Sequence, residues 1–174
     1  MIGYGQMPNP PLTPLAAATL RVGEPERVLE VGCGEGDGTL VLAREFPRAR
    51  VRGVDASATA VRCAQARVGL DPEGRVAFKL GSPRALPFPD QFFDLVALLD
   101  TRPHPPEVAR VLRPGGHLIV AHSRRQPRQL GLGRGLLWRR LARHGIELLE
   151  STAAGDGSFS VGRHRDPARP APAD

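Results

Sequence analysis

Short apolar runs alternate with segments of helical periodicity along most of this chain. Seven runs of apolar residues predict strands at residues 27–31, 49–54, 75–80, 93–99, 117–121, 146–149 and 158–161. Apolar residues three or four positions apart predict helices at residues 12–21, 39–46, 58–68, 106–112 and 130–144. Strands that alternate with helices indicate an α/β fold with a parallel sheet. A Gly-rich turn joins the last two strands, which predicts a hairpin and one antiparallel terminal strand.

Proline and glycine divide the chain into three parts. Residues 1–26 are expected to form an N-terminal irregular segment and a short helix. Residues 27–164 contain every predicted strand and are expected to form one domain, which suits a chain of 174 residues. Residues 165–174 are rich in proline and alanine, so we expect a disordered tail there.

The composition limits the class of protein. Hydrophobic residues make up 41% and charged residues 24%, as in ordinary globular domains. No run approaches the roughly 18 apolar residues that span a bilayer, and the first residues lack the pattern of a secretory signal. We therefore expect a cytoplasmic protein without a membrane partner. Cys33 and Cys63 have no metal-binding spacing, so neither a disulfide nor a metal site is expected.

The chain is basic, with a net charge of +6. Its densest basic stretch consists of Arg124, Arg125, Arg128, Arg134, Arg139, Arg140 and Arg143. Such a stretch can contact a polyanion, and it can equally be the solvated face of a helix. We favour the solvated face and keep nucleic acid as a less favoured partner.

Candidate chemistry begins directly after the first predicted strand. Residues 30–38 read E-V-G-C-G-E-G-D-G, and glycines let a ligand approach the backbone closely. Asp37 stands where the dinucleotide pattern GxGxxG requires glycine, and no Gly-Lys-Ser/Thr follows, which argues against a phosphate-binding loop. Asp55 ends the second strand, where a carboxylate can accept both ribose hydroxyls of a nucleoside. Alternatively, Asp55 only helps Ser57 to cap the next helix.

Four collinear segments resemble motifs of class I S-adenosylmethionine-dependent methyltransferases. They are V-L-E-V-G-C-G-E-G at 28–36, G-V-D-A-S at 53–57, A-L-P-F-P-D-Q-F-F-D-L-V at 85–96 and V-L-R-P-G-G-H-L-I-V at 111–120. The most similar branch holds small-molecule and quinone-ring enzymes, the methyltransferase type 11-like domains. The resemblance implies a Rossmann-like α/β fold: a seven-stranded, mostly parallel sheet with helices on both faces and one antiparallel terminal strand. It also implies S-adenosylmethionine as cofactor, S-adenosylhomocysteine as product and no metal.

The same resemblance assigns residues to each part of the cofactor. Those implied to hold the methionine part or shape its turn are Glu30, Gly32, Cys33, Gly34 and Gly36. Those implied to contact the ribose and the adenine are Asp55, Ala56 and Ser82. Those implied to border the pocket and the methyl sulfonium are Ala85, Leu86 and Leu99.

The chain departs from the family pattern in two places. Many members have aspartate at the position of Ser82, and a backbone N–H at the position of Pro83 that donates to adenine. Proline has no N–H, so one hydrogen bond worth about 1 kcal/mol is lost. The second departure is the short segment at residues 101–106, which replaces a longer substrate cover. The site is then either open or completed by the N-terminal segment or by another chain.

Methyl transfer from a sulfonium depends mainly on positioning and on exclusion of water. A base helps when the acceptor is a hydroxyl, a phenol or an acidic carbon. The candidates are His104 and His122, with Asp100 nearby, although a lone histidine in a loop is more often a bystander than a base. The Asp/Asn-Pro-Pro-Tyr mark of nucleic-acid base methylation is absent after the fourth strand. A small-molecule acceptor is therefore expected.

Two other functions stay open on the sequence alone. A catalytically weak or inactive binding module is suggested by Ser82, Pro83 and the short segment at residues 101–106. An RNA-modifying methyltransferase is suggested by the arginine-rich stretch. Trp138 is expected to pack in the core, and Tyr4 and Met7 lie where they could cover the substrate. The sequence gives neither the acceptor nor the oligomeric state.

Overall fold

A computed structural model describes residues 12–69, 71, 73–124 and 132–167. Its helices are α1 (Thr13–Thr19), α2 (Asp37–Glu45), α3 (Ala58–Val68), α4 (Pro105–Val111) and α5 (Leu132–Arg143). Its strands are β1 (Arg27–Val31), β2 (Arg50–Asp55), β3 (Val76–Leu80), β4 (Phe93–Leu99), β5 (Leu112–His122), β6 (Ile146–Ala154) and β7 (Gly157–His164). None of the helices in these ranges has the length and apolar character that crossing a bilayer requires.

The strands form one seven-stranded sheet in the order β3-β2-β1-β4-β5-β7-β6. β1 to β5 pair in parallel, whereas β7 runs antiparallel to both β5 and β6. This confirms the predicted mostly parallel sheet with one antiparallel terminal strand. The strand order reverses between β1 and β4, and ligands of open α/β sheets bind at such a reversal, beyond the carboxyl ends of the strands. We call that side of the sheet the carboxyl edge.

Helices cover both faces of the sheet, as predicted. Alternate residues of one strand point to opposite faces, and β4 shows this directly. Val96 and Leu98 belong to a core that α4 and α5 cover, and that core includes Trp138 as expected. Leu95 and Ala97 belong to a second core, which α1 and α2 cover. β4 therefore lies between two layers of helices, with both faces buried.

Strands β1 and β4 and helix α3 have the predicted boundaries, whereas the predicted break after α4 is wrong. The apolar pattern predicts a helix at residues 106–112 and a separate strand at residues 117–121, with Pro114 and two glycines between them. Instead β5 begins at Leu112, which pairs with Phe93, and the next pair joins His117 to Leu95. The extra residues form a bulge in β5, where a proline without an N–H is tolerated.

The other boundaries differ by smaller amounts, except at the end of the sheet. β6 extends to Ala154 and not to residue 149, because an exposed edge strand carries polar residues that hide its apolar pattern. α2 begins at Asp37, two residues before the predicted start, because Gly36 takes a left-handed conformation and acts as its N-cap. Predictions for residues 1–11, including Tyr4 and Met7, and for 168–174 lie outside the described residues.

Candidate functional site

The Gly-rich turn between β1 and α2 lies at the centre of the carboxyl edge. Gly32, Gly34 and Gly36 have φ values of +75°, +52° and +91°, which side chains rarely adopt. At Gly36 a Cβ would also come within 2.8 Å of the Phe78 ring. At Gly34 a Cβ would meet nothing within 4 Å, so the turn is open on that side. The turn thus has a packed inner side and an accessible outer side.

Backbone N–H groups of this turn are largely used by β2. The N–H groups of Gly32 and Cys33 donate to the carbonyl of Val54, at 2.8 and 3.0 Å. The next N–H, that of Gly34, donates to Oδ2 of Asp55 at 2.9 Å. Oδ1 of Asp55 accepts from the N–H of Ser57 at 2.8 Å. Asp55 therefore joins the turn after β1 to the turn after β2.

Glu30 supports the turn from beneath. Its side chain is 2% exposed, and its carboxylate accepts hydrogen bonds from the hydroxyl and the backbone N–H of Thr39 in α2. Burial raises the pKa of this carboxyl from 4.5 to about 8, although the Thr39 hydrogen bonds oppose the rise. A Cβ on Gly38 would overlap Oε1 of Glu30, so the glycine makes room for the buried carboxyl. Glu30 fixes the start of α2 and does not reach the open side of the turn.

The loop between β3 and β4 lies beside the end of β2. The N–H of Ala85 donates to the Ser82 carbonyl at 3.0 Å, and the N–H of Arg84 donates to the Ser82 hydroxyl at 3.2 Å. Pro83 lies inside this tight turn. Ala85 is exposed, whereas Leu86 is 4% exposed and forms part of the α4-side core. The Ser82 hydroxyl thus has an internal partner while its residue remains at the surface.

Two residues that the sequence analysis did not single out hold this loop in place. The N–H of Leu86 donates to Oε2 of Glu107 at 2.7 Å. Arg110 binds Glu107 through both Nε and a terminal nitrogen, and also donates to the carbonyls of Leu86 and Phe88. Arg110 and Leu86 N–H together hold the pKa of Glu107 below its ordinary value. The only signal in the sequence was an i, i+3 pair of opposite charges, which is common on helices.

The segment after β4 crosses the Gly-rich turn. Leu99 is half-buried at the strand end, and Asp100 has a φ of +53°. Oδ1 of Asp100 accepts from the N–H of Ser123 at 2.9 Å, which joins the ends of β4 and β5. The next side chain, Thr101, lies against Gly32, where any Cβ would overlap it. The segment that follows Leu99 and Asp100 therefore adjoins the Gly-rich turn after β1.

The histidines fall into two groups. His104 is the N-cap residue of α4, and its Nδ1 is buried without a hydrogen-bond partner among the described residues. His122 ends β5 at the carboxyl edge and is half-buried. His117 lies away from this edge: it pairs with Leu95 near the start of β4, and burial lowers its pKa.

An arginine near the end of α3 is bound to the Gly-rich turn and the start of α2. Arg67 donates to the carbonyl of Glu35 at 2.9 Å and forms a 2.5 Å ion pair with Asp37.

Cys33, in the same turn, is buried, and the loss of solvation raises the pKa of its thiol to about 12. Such a thiol stays protonated and is a poor nucleophile. Ala56 is exposed on the other side of Asp55.

The described residues contain no cluster of three or more histidine, cysteine or acidic side chains that could bind a metal ion. Both cysteines are free thiols. In the arginine-rich stretch, Arg124, Arg139, Arg140 and Arg143 are exposed. Arg125, Arg128 and the side chain of Arg134 lie outside the described part of the chain.

Comparison with known proteins supports this reading of the fold and the turn. A family model described as a methyltransferase domain matches residues 28–116, more than half of the chain. The fatty-acid O-methyltransferase of Mycolicibacterium smegmatis is 38% identical over 108 residues, which are 58% of this chain and 38% of that protein. Methyltransferase GfsG of Streptomyces halstedii is 36% identical over 139 residues, 69% of this chain and 50% of that protein. The chain thus spans half or less of the length of these curated relatives.

Solved structures agree at the level of the fold. A chain from the complex of the Haloferax volcanii Trm112 methyltransferase activator with a methyltransferase superposes with a TM-score of 0.72 at 20% identity, covering 88% of this chain and 90% of that one. A methyltransferase from Aquifex aeolicus gives 0.70 at 21% identity, with the same coverage of 88% and 90%. The order of the strands, the Gly-rich turn and the match to the family model all agree. The chain belongs to the class I S-adenosylmethionine-dependent methyltransferase family.

Proposed function

We propose that this chain binds S-adenosylmethionine at the carboxyl edge and transfers its methyl group to a small-molecule acceptor. The observation that carries the proposal is the hydrogen bond from the Gly34 N–H to Asp55, beside the open side of the Gly-rich turn. It brings together the two motifs that the family uses for the methionine part and the ribose.

The residues at this edge fit such a nucleoside. Each carboxylate oxygen of Asp55 accepts one N–H and keeps lone pairs for a ribose hydroxyl. The open side of Gly34 leaves room for the methionine part to lie against the backbone. Because Gly32 and Cys33 donate to Val54, we assign the methionine ammonium to the carbonyl groups of the turn. Ala56 and Ser82 are exposed next to this site and would border the adenine.

The bound cofactor supplies a methyl group activated by its sulfonium. The protein's part is to hold the donor and the acceptor in line and to exclude water between them. Thr101, which lies against Gly32 in the turn, and Leu99 at the end of β4 would form the wall beside the reacting methyl group. His104 and His122 are the candidate bases for an acceptor that must lose a proton, and Asp100 positions the segment that carries His104.

A small-molecule acceptor is favoured by the relatives. Their names describe a fatty-acid O-methyltransferase, a 27-O-demethylrifamycin SV methyltransferase from Amycolatopsis mediterranei and a ubiquinone/menaquinone biosynthesis C-methyltransferase from Geobacter sulfurreducens. These acceptors are chemically diverse, so they indicate a class and not a compound. We extend the proposal to a cytoplasmic enzyme that needs no metal.

Thermal unfolding with and without ligand tests the proposal. At a hundredfold excess over the dissociation constant, a ligand of the folded state stabilises it by about 2.7 kcal/mol. S-adenosylhomocysteine should raise the melting temperature, whereas NAD should not, because the turn lacks a pyrophosphate site. Equal responses to both would contradict the proposal. Binding without methyl transfer to any acceptor of a broad panel would favour the binding-module alternative.

The RNA-modifying alternative rests on the exposed Arg139, Arg140 and Arg143 of α5. Phosphate contacts make RNA affinity fall steeply as salt rises. Titration with a structured RNA at low and high salt separates the two functions: a steep salt dependence would support RNA, whereas absent or salt-independent binding would support a small acceptor.

A further inference from the structure

Three acidic groups of the carboxyl edge already have protein donors. Asp55 accepts from two backbone N–H groups, and Asp100 accepts from Ser123. Glu107 accepts from Leu86 and is paired with Arg110. The carboxylates of Asp55, Asp100 and Glu107 are therefore hydrogen-bonded within the protein.

The two arginines near the expected acceptor position, by contrast, have no partner within the described residues. Arg102 and Arg124 are exposed, and neither has a hydrogen bond or an ion pair with any described residue. The hydrogen bond between Asp100 and Ser123 joins the ends of β4 and β5, so the two arginines follow adjacent points of the edge. Both segments adjoin the place where the methyl group of the cofactor would lie.

A ring nitrogen of His104 is a third group here that lacks a hydrogen-bond partner among the described residues. Nδ1 of His104 is buried and has no partner among the described residues, although it lies only two residues after Arg102. A buried polar atom without a partner costs free energy, and a ligand that hydrogen-bonds to it recovers that cost. The unused capacity at this part of the edge therefore consists of two guanidinium groups and an imidazole.

We infer that the acceptor is anionic and that its nucleophile is the carboxylate of a small organic acid. This inference rests on the proposed function and names its substrate class. The sulfonium of the donor is also a cation, so it and the two arginines would attract an anionic acceptor. Arginine pairs with a carboxylate through a planar fork of donors, which would orient the acid.

The reaction on such an acceptor needs no base. A carboxylate oxygen attacks the methyl carbon, an O–C bond forms, and the C–S bond breaks with its electron pair going to sulfur. The products are a methyl ester and S-adenosylhomocysteine, and no proton moves. His104 and His122 then act as hydrogen-bonding groups for the acid and not as proton acceptors.

The test uses acceptors that share a carbon skeleton and differ in the reacting group. Decanoate, decanol and decanamide form one set, and benzoate, benzyl alcohol and benzamide form another. The protein is incubated with methyl-labelled S-adenosylmethionine, and alkali then releases labelled methanol from methyl esters only. Label in the acids and not in their partners supports the inference. Label in the alcohols or amides, or in no acid although the protein binds S-adenosylhomocysteine, overturns it.

Variants connect the result to the two arginines. Arg102→Gln and Arg124→Gln should each raise KM for the acid about fivefold, as expected when an exposed charged hydrogen bond is lost. Their affinity for S-adenosylhomocysteine should stay that of the parent. Arg48→Gln removes the same charge at the opposite edge, where Arg48 is 91% exposed, and should change neither quantity. Equal KM values in all the variants would contradict the role of the arginines. A parent that fails to bind S-adenosylhomocysteine would refute the proposed function itself.

Discussion

The N–H of Gly34 donates a 2.9 Å hydrogen bond to Oδ2 of Asp55 and so links the turns that follow β1 and β2. Twenty-one positions separate these residues in the sequence. Parallel pairing of β1 with β2 brings them together, since the two strands end at the same edge. A ligand held by Asp55 is thereby held against the Gly-rich turn, and this relationship is the structural basis of the cofactor site that we propose.

Asp55→Asn should weaken binding of S-adenosylhomocysteine by about 1.5–3 kcal/mol, the range for hydrogen bonds to a charged group. The amide keeps one acceptor for the turn but loses the charge that the ribose hydroxyls would bind. Calorimetric titration measures the change. Glu24→Gln is the matched control, because Glu24 is 87% exposed at the opposite edge. Unchanged affinity in Asp55→Asn would rule out the ribose contact.

Gly36→Ala should lower the free energy of unfolding by about 1–3 kcal/mol, because the φ of +91° is strained for alanine and its Cβ would meet the Phe78 ring. Gly135→Ala is the contrasting variant. Gly135 is exposed within α5 with open space around it, so alanine should stabilise the protein by about 0.5–1 kcal/mol. Urea unfolding compares the two, and effects of the same sign would argue against this geometry of the turn.

Removal of the Glu107 carboxylate, which holds the β3–β4 loop, should destabilise the protein. Glu107→Ala leaves the N–H of Leu86 without its partner, at a cost of about 1–3 kcal/mol. Asp90→Ala removes only an exposed ion pair with Arg110, and pairs of this kind contribute about 0–1 kcal/mol. Denaturant unfolding should therefore separate the variants clearly. Equal losses would mean that the loop is not held through Glu107.

The buried carboxyl of Glu30 predicts a pH-dependent stability. Its folded-state pKa is about 8 against an ordinary 4.5, so between these values the unfolded state has lost a proton that the folded state keeps. The free energy of unfolding should then fall as pH rises from about 4.5 to 8, by on the order of a few kcal/mol, and the contribution becomes constant above pH 8. Urea unfolding at pH 5, 6.5 and 8 gives the curve.

Glu30→Gln isolates this effect, because glutamine does not ionise and its amide oxygen still accepts from Thr39. The lowered pKa of His117 works in the opposite direction, since stability from that group rises as its unfolded form loses a proton. The difference between parent and variant removes the His117 contribution. If the two curves run parallel from pH 5 to 8, Glu30 is ionised in the folded protein and the prediction is wrong.

The sequence predicted most of the fold because buried parallel strands are continuous apolar runs. β1 and β4 were located at their observed ends, and α3 has both its Ser57 cap and its Gly69 end. β5 and β6 were predicted too short for different reasons. The bulge around Pro114 resembles a break, and the exposed β6 mixes polar and apolar residues.

The site was predictable only where a motif marks it. The Gly-rich turn and Asp55 carry such marks, whereas Glu107 and Arg110 act through partners about twenty residues away, which spacing does not reveal. The burial of Glu30 could not be predicted from the sequence either, because it depends on the packing of α2 over this side chain. For Ser82 the structure adds an internal hydrogen bond that no local pattern required.

Calorimetric titration of the purified parent protein with S-adenosylhomocysteine tests the proposed cofactor site most directly. We expect saturable binding with a micromolar dissociation constant and one site per chain, and the Asp55→Asn protein should bind more weakly. No binding up to millimolar ligand, by a protein that unfolds cooperatively, would contradict it.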